Sequence, residues 1–197
     1  MTDLDLSTNV VILNGPPNSG KDTIAAAMVE ADPEWRRVRR FKEELYRVAA
    51  MLYCVPYEDV VEICNDRELK DAYHDAFGCT PREALIYVSE SVVKPHFGDE
   101  WFGRKAALSL ESGCTHFFSD GGFMAEMNPL LAAVGENNFL LVTLVRPGCD
   151  FSNDSRDYLD PSKFRRSCTL INDGDIEDTL QELAAEVCEM LAASFTY

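Results

Sequence analysis

Residues 10–23 read Val10-Val11-Ile12-Leu13-Asn14-Gly15-Pro16-Pro17-Asn18-Ser19-Gly20-Lys21-Asp22-Thr23, an apolar run that stops where a glycine loop begins. The four apolar residues suit a buried strand, and the spacing of Gly15, Gly20 and Lys21 fits a phosphate-binding loop of the Walker A pattern. In such a loop the backbone N–H groups point inward at phosphate oxygens, and the lysine reaches the β- and γ-phosphates. Residues 22–29 favour a helix that begins at the loop, so the positive end of its dipole faces the same anion. The expected nucleotide-binding residues are therefore Gly15, Asn18, Ser19, Gly20, Lys21, Asp22 and Thr23. Asp22 stands where the general motif has Ser or Thr as a magnesium ligand. A carboxylate can hold the same ion directly or through water, and Thr23 offers a hydroxyl one residue later. A plain glycine turn after a strand is the competing reading, and the order strand, loop, lysine, helix argues against it.

The chain has 197 residues, 46% of them hydrophobic, enough for one domain with a central sheet covered on both sides. A formal charge of −16 disfavours non-specific binding to nucleic acid or anionic membrane, although a local basic cleft can survive in an acidic surface. A small phosphorylated substrate is favoured over a long polyanion. The seven cysteines are scattered without CxxC or CxxH spacing, which reads as reduced thiols in the cytoplasm and not as a zinc site. No apolar stretch approaches the roughly 18 residues of a membrane span, and the acidic start at residues 1–5 is no secretion signal.

Further along, strands and helices alternate. The basic stretch 36–41 suits a short second strand, and Leu45, Val48, Ala49 and Leu52 repeat at helical spacing over 42–53. Short helices are expected after Pro56 and Asp66. Thr80-Pro81-Arg82-Glu83 carries an N-cap, a proline at the first helical position and a glutamate three residues after the cap, which predicts a helix running toward Pro95. Another helix is expected from Asp99 or Glu100 through Leu110. Residues 115–119 and the unbroken apolar run 139–145 suit buried parallel strands, 168–171 a last strand and 175–193 a closing helix. Between them, 146–167 turns polar, with Pro147, Gly148, Asn153, Asp154 and Pro161.

Several segments occur in one order: Ser19-Gly20-Lys21-Asp22-Thr23, Phe41-Lys42-Glu43-Glu44-Leu45, Thr80-Pro81-Arg82-Glu83-Ala84-Leu85, Gly98-Asp99-Glu100-Trp101, Ser119-Asp120, Val145-Arg146-Pro147-Gly148 and Ile171-Asn172-Asp173-Gly174. In this order the chain resembles bacteriophage-type deoxynucleoside monophosphate kinases over most of its length. The resemblance implies an α/β, three-layer P-loop kinase fold, ATP and Mg2+ as cosubstrates, and phosphoryl transfer to a deoxynucleoside 5′-monophosphate, in the host cytoplasm if phage-encoded. That family commonly shows Asp-x-Arg-Phe after the central strand, where this chain has Asp120-Gly121-Gly122-Phe123. The arginine expected on the substrate side is missing, which leaves the acceptor open to differ from the family norm.

Transfer between two nucleotides requires neutralising dense negative charge, so loop amides, Lys21, Mg2+ and guanidinium groups are needed together. Arg82 sits in the first turn of a helix, an unhelpful place for a cation unless an anion is also present; the alternative is an exposed arginine or a partner of Glu83 or Glu44. Arg146 follows a buried strand at the sheet edge where open α/β folds bind ligands, or simply starts a loop. Arg156, Lys163, Arg165 and Arg166 lie in the excursion 146–167, which matches the lid of nucleoside monophosphate kinases and lacks the apolar spacing needed to pack. A solvated loop paired with Asp154, Asp157 and Asp160 is the alternative.

Asp120 ends a strand where a carboxylate could hold magnesium through water or position the acceptor, or could cap the following turn. The candidate catalytic residues are thus Lys21, Asp22, Arg82, Asp120, Arg146 and Arg156, and the candidate metal ligands Asp22, Thr23 and Asp120. Two further functions stay open. One is a kinase with a hydroxyl acceptor, such as a hydroxymethylated pyrimidine in phage DNA, which the loss of the family arginine favours and the net charge opposes. The other is a nucleotide-binding ATPase or switch. Assembly as a homodimer is also left open.

Overall fold

The computed structural model describes residues 7–66, 68–152, 154 and 156–194; the acidic start 1–5 and Asn153 of the polar excursion lie outside the described residues. The apolar run forms β1 (Asn9–Asn14), buried along its whole length. Around it lie β2 (Arg36–Arg39), β3 (Thr115–Phe118), β4 (Phe139–Val145) and β5 (Ser167–Ile171) in one all-parallel sheet of order β2-β3-β1-β4-β5. Val10 pairs with Phe139 of β4 and with His116 of β3, so the central strand is hydrogen-bonded on both edges.

Alternation along β1 builds the two layers that cover the sheet. Val11 and Leu13 pack with Ile24, Ala25 and Met28 of α1 (Lys21–Glu30) and with Leu183, Val187 and Met190 of α8 (Ile176–Ser194). Val10 and Ile12 face the opposite layer, built from α2 (Lys42–Tyr53), α3 (Tyr57–Asn65), α4 (Pro81–Ile86), α6 (Trp101–Leu108) and α7 (Met124–Val134). Each such side chain, fully withdrawn from water, contributes about 1.5–3 kcal/mol. The short α5 (Lys94–Phe97) continues α4 through a π-helical stretch, Tyr87–Val93.

Expected and observed elements differ at four places. The helix beginning at Thr80 has the capping box read from sequence, but its middle widens into the π turns, a feature frequent at functional sites. After Asp66 only a single 3-10 turn forms, Leu69–Asp71. Helix α7 was not anticipated, because two glycines precede it and Pro129 lies inside it.

The fourth difference concerns the excursion 146–167. Leu159 and Phe164 are buried in the core, and the Phe164 ring stacks on Phe139 at 5.5 Å. Asn14, the last residue of β1, anchors this segment: its Oδ1 accepts from the Leu159 amide at 2.8 Å, and its Nδ2 donates to the carbonyls of Asp157 and Gly121 at 3.3 Å. The expectation that the excursion lacks packing residues is therefore corrected. Two isolated apolar side chains and one buried asparagine hold it, a pattern without helical or strand periodicity.

Candidate active site

The loop between β1 and α1 closes on itself. Gly20 has φ +103°, and a side chain there would begin 2.5 Å from Nδ2 of Asn172, so only glycine fits. Asn172 in turn donates from Nδ2 to the Ser19 carbonyl at 2.8 Å, which ties the loop to the end of β5. Gly15 lies against the Leu144 carbonyl, Asn18 takes a left-handed φ of 65°, and Arg146 donates to the Asn18 carbonyl at 3.4 Å. Arg146 thus meets the loop's outer side, exposed, at the carboxyl edge of β4.

Lys21 is buried. Its Nζ donates to the Pro16 carbonyl at 2.6 Å and lies 3.4 Å from Ser19 Oγ. Burial, and next the charge of Arg156, push its pKa down to about 8, against the opposing pull of Asp22, Asp154 and Asp120. An ammonium crowded by a guanidinium is relieved by an incoming anion, which is the electrostatic state a phosphate site should have. Asp22 and Thr23 are exposed at the first turn of α1. Asp22 accepts from the Ser119 hydroxyl at 2.7 Å and pairs with Arg40 at 3.4 Å. Burial works to raise its pKa, but Ser119, Lys42 and Arg40 outweigh it and hold the carboxyl below the usual aspartate range. An ionised carboxylate with a neighbouring hydroxyl suits Mg2+ bound together with phosphate oxygens and water, the mode that does not need an all-protein cage. Among the described residues no group of three or more acidic, histidine or cysteine side chains gathers as a cage.

Next to this loop, on the α2–α7 side of the sheet, opens a cavity of about 550 Å³. Five cations border it: Lys42, Lys70, Arg82, Lys94 and Arg156. Leu45, Leu85, Phe102 and Phe123 form apolar wall. Asp120 lies at its inner edge, and each of its carboxylate oxygens accepts a backbone amide at 3.0 Å, from Phe41 and from Lys42. It thereby pins the start of α2, and not the turn that follows it in sequence, as the capping alternative had it. Desolvation nevertheless raises its pKa, against those two amides and the charges of Lys42 and Arg156. Arg82 finds neither Glu83 nor Glu44 but Asp71, with Nε–Oδ1 at 2.5 Å.

Arg156 comes from the excursion to the end of β3. Its guanidinium grips Asp154 through Nε at 2.8 Å and Nη2 at 2.6 Å, and donates from Nη1 to the Asp120 carbonyl at 3.2 Å. The Arg156 stem lies where a side chain at position 122 would begin, 2.5 Å from a Cβ placed on Gly122. A guanidinium from the excursion thus lies beside the end of β3, and its stem takes the space that a side chain at position 122 would need.

Sequence reasoning missed two groups. Asn14 is the anchor described above, signalled only by a polar residue closing an apolar run. Glu126, at the third position of α7, borders the cavity and is 8% exposed. Burial, then the charge of Asp120, push its carboxyl up to about 8, although Lys94, the Phe123 amide and Arg156 pull the other way. The unfolded chain releases this proton near the ordinary value of 4.5, so the folded protein holds the extra proton between 4.5 and about 8. Stability from this group is then lost as pH rises through that window. Glu126→Gln, which cannot ionise, should raise the thermal unfolding temperature at pH 8 relative to pH 5 when compared with the parent; parallel curves would show that Glu126 is ionised in the fold.

The arginines of the basic run around β2 are all paired: Arg37 and Arg39 share Glu111 at 2.8 and 2.5 Å, Arg36 meets Asp32 at 3.6 Å, and Arg40 meets Asp22. All seven cysteines are free, and among the described residues no helix is long and apolar enough to cross a membrane.

These features define a P-loop kinase fold, and the comparison with solved structures agrees. A gluconokinase from Sinorhizobium meliloti superposes with a TM-score of 0.50 over 96% of this chain and 97% of its own, at 11% identity. A sugar kinase from a Janibacter species aligns over 92% of this chain and 95% of its own, at 14% identity and a TM-score of 0.43. No protein-family model and no curated protein sequence matches the chain.

Proposed function

We propose that the protein is a kinase that transfers the γ-phosphoryl group of ATP to a deoxynucleoside 5′-monophosphate held in the 550 Å³ cavity. The observation that carries this reading is the junction of loop and cavity: Arg156, Asp154 and Asp120 border the cavity and also act on the charge of Lys21. A cavity of this size suits a nucleotide, with cations for its phosphate and apolar wall for its base. Lys21 and the loop amides would hold the β- and γ-phosphates, with Asp22 and Thr23 placed to bind Mg2+. When bound, the ion supplies charge neutralisation between phosphate oxygens. Arg156, already desolvated and oriented by Asp154, would meet the charge that develops on the transferred group.

A hydroxyl acceptor is the second reading, favoured by the two acids Asp120 and Glu126 at the cavity wall, either of which could take a hydroxyl proton. The missing arginine weighs less in its favour, since Arg156 brings a guanidinium to the same end of β3, its stem against Gly122. A panel of the common and 5-hydroxymethylated deoxynucleoside monophosphates, together with hydroxymethylated DNA, incubated with γ-labelled ATP, separates the two. Label in a nucleoside diphosphate is the expected result. Label in DNA alone would select the hydroxyl reading, and release of free phosphate with no labelled acceptor would leave an ATPase.

A further inference from the structure

We propose that Glu126 reads the nucleobase of the acceptor, through a hydrogen bond between its inner carboxyl oxygen and a polar group of the base; this rests on the reading of the cavity as the acceptor site.

The position of the side chain is set by local structure. Glu126 is the third residue of α7, near enough to the Phe123 amide at the helix start for that amide to favour its charged form. Its backbone is held where α6 crosses α7, because Gly103 allows the α6 backbone to lie directly against the Glu126 carbonyl. Its Oε2 is buried and has no hydrogen-bond partner. A buried carboxyl oxygen left unpaired is costly in a folded protein, and such groups are rare enough to call for a reason. The charged groups acting on it come from three directions: Asp120 after β3, Lys94 at the start of α5 and Arg156 from the excursion. None of them bonds to Oε2.

The surroundings favour the base over the phosphate as its ligand. Glu126 shares its wall with Asp120, and two acids repel a phosphate. Lys42, Lys70 and Arg82 border the same cavity and offer the phosphate better partners. Phe102 and Phe123 border the cavity with Glu126 and provide apolar faces for a planar ring. A polar group in a wall that also carries aromatic side chains can tell one base from another, and a site built around a hydrogen bond rejects ligands that cannot make it.

The test compares kcat/KM for dTMP, dCMP, dAMP, dGMP and deoxyribose 5-phosphate in the parent, Glu126→Leu and Glu126→Gln. The parent should prefer at least one nucleotide over deoxyribose 5-phosphate by about tenfold or more. Glu126→Leu should flatten the order of bases, raising KM for the preferred nucleotide about tenfold while deoxyribose 5-phosphate suffers much less. Glu126→Gln keeps a hydrogen-bonding group, so it should retain discrimination, in the original or an altered order. Survival of the base order in Glu126→Leu, or an equal loss on every acceptor, would make Glu126 a structural residue only. Should the leucine variant not fold, the parent alone decides: equal use of deoxyribose 5-phosphate and nucleotides overturns the proposal. A parent that phosphorylates no nucleotide removes the acceptor reading and this inference together, whereas nucleotides used without regard to Glu126 remove the inference alone.

Discussion

Lys21→Ala should lower turnover by at least about a hundredfold while leaving the fold intact, as expected when a major electrostatic contact to the transferred phosphates is removed. The reason lies in where the ammonium sits. It is buried inside its own loop, 2.6 Å from the Pro16 carbonyl, and burial together with Arg156 already depresses its pKa to about 8. No neighbouring lysine can reach the same point from the outside. Because the free protein pays for that desolvation without recovering it, the alanine variant should unfold near the parent temperature in the absence of nucleotide. It should lose the upward shift that ATP gives the parent. Thermal unfolding with and without ATP, read beside turnover, checks both halves. A folded variant with near-parent activity would remove the phosphate-loop reading.

Arg156→Ala should also cost about a hundredfold or more in turnover, with a smaller effect on ATP binding, because a guanidinium aimed at transferring charge acts most strongly in the transition state. The geometry adds a sharper expectation. Gly122 is empty where the Arg156 stem passes, so Gly122→Arg in the parent should impair activity by collision. In the Arg156→Ala background that space is vacated, and the same Gly122→Arg change should restore part of the lost turnover by bringing a guanidinium in from the other side. Steady-state kinetics of the four proteins forms a double-mutant cycle. An alanine variant with undiminished turnover, or a double variant no better than Arg156→Ala, would show that this arginine serves only to hold Asp154 and the Asp120 carbonyl.

Much of this was legible in local pattern. The parallel strands at 115–118 and 139–145 announced themselves as apolar runs, and the capping box at Thr80 announced its helix. The helix that carries Glu126 did not, because Gly121, Gly122 and the internal Pro129 break the signals by which a helix start is recognised. Asp120 was seen as a strand-end acid, but its two amide partners, Phe41 and Lys42, lie almost 80 residues earlier. Arg82 was read as an anion-facing cation, with Glu83 or Glu44 as its alternative partner, and it pairs with Asp71 in the 3-10 turn.

The division follows from the range of the forces. Whether a stretch forms a buried strand depends on the period of its own apolar residues, and whether a loop can turn as residues 15–20 do depends on Asn18 and Gly20 standing where φ is positive; both are contained within a few residues of sequence. The phosphate loop and the α/β class were therefore determined by the chain read by itself. Which carboxylate an arginine meets, which space an absent side chain leaves for another, and which buried oxygen ends without a partner depend on segments that only the packed sheet and its two helical layers bring together. The passage of the Arg156 stem against Gly122, and the placing of Glu126 in the cavity wall, were decided by the tertiary structure alone.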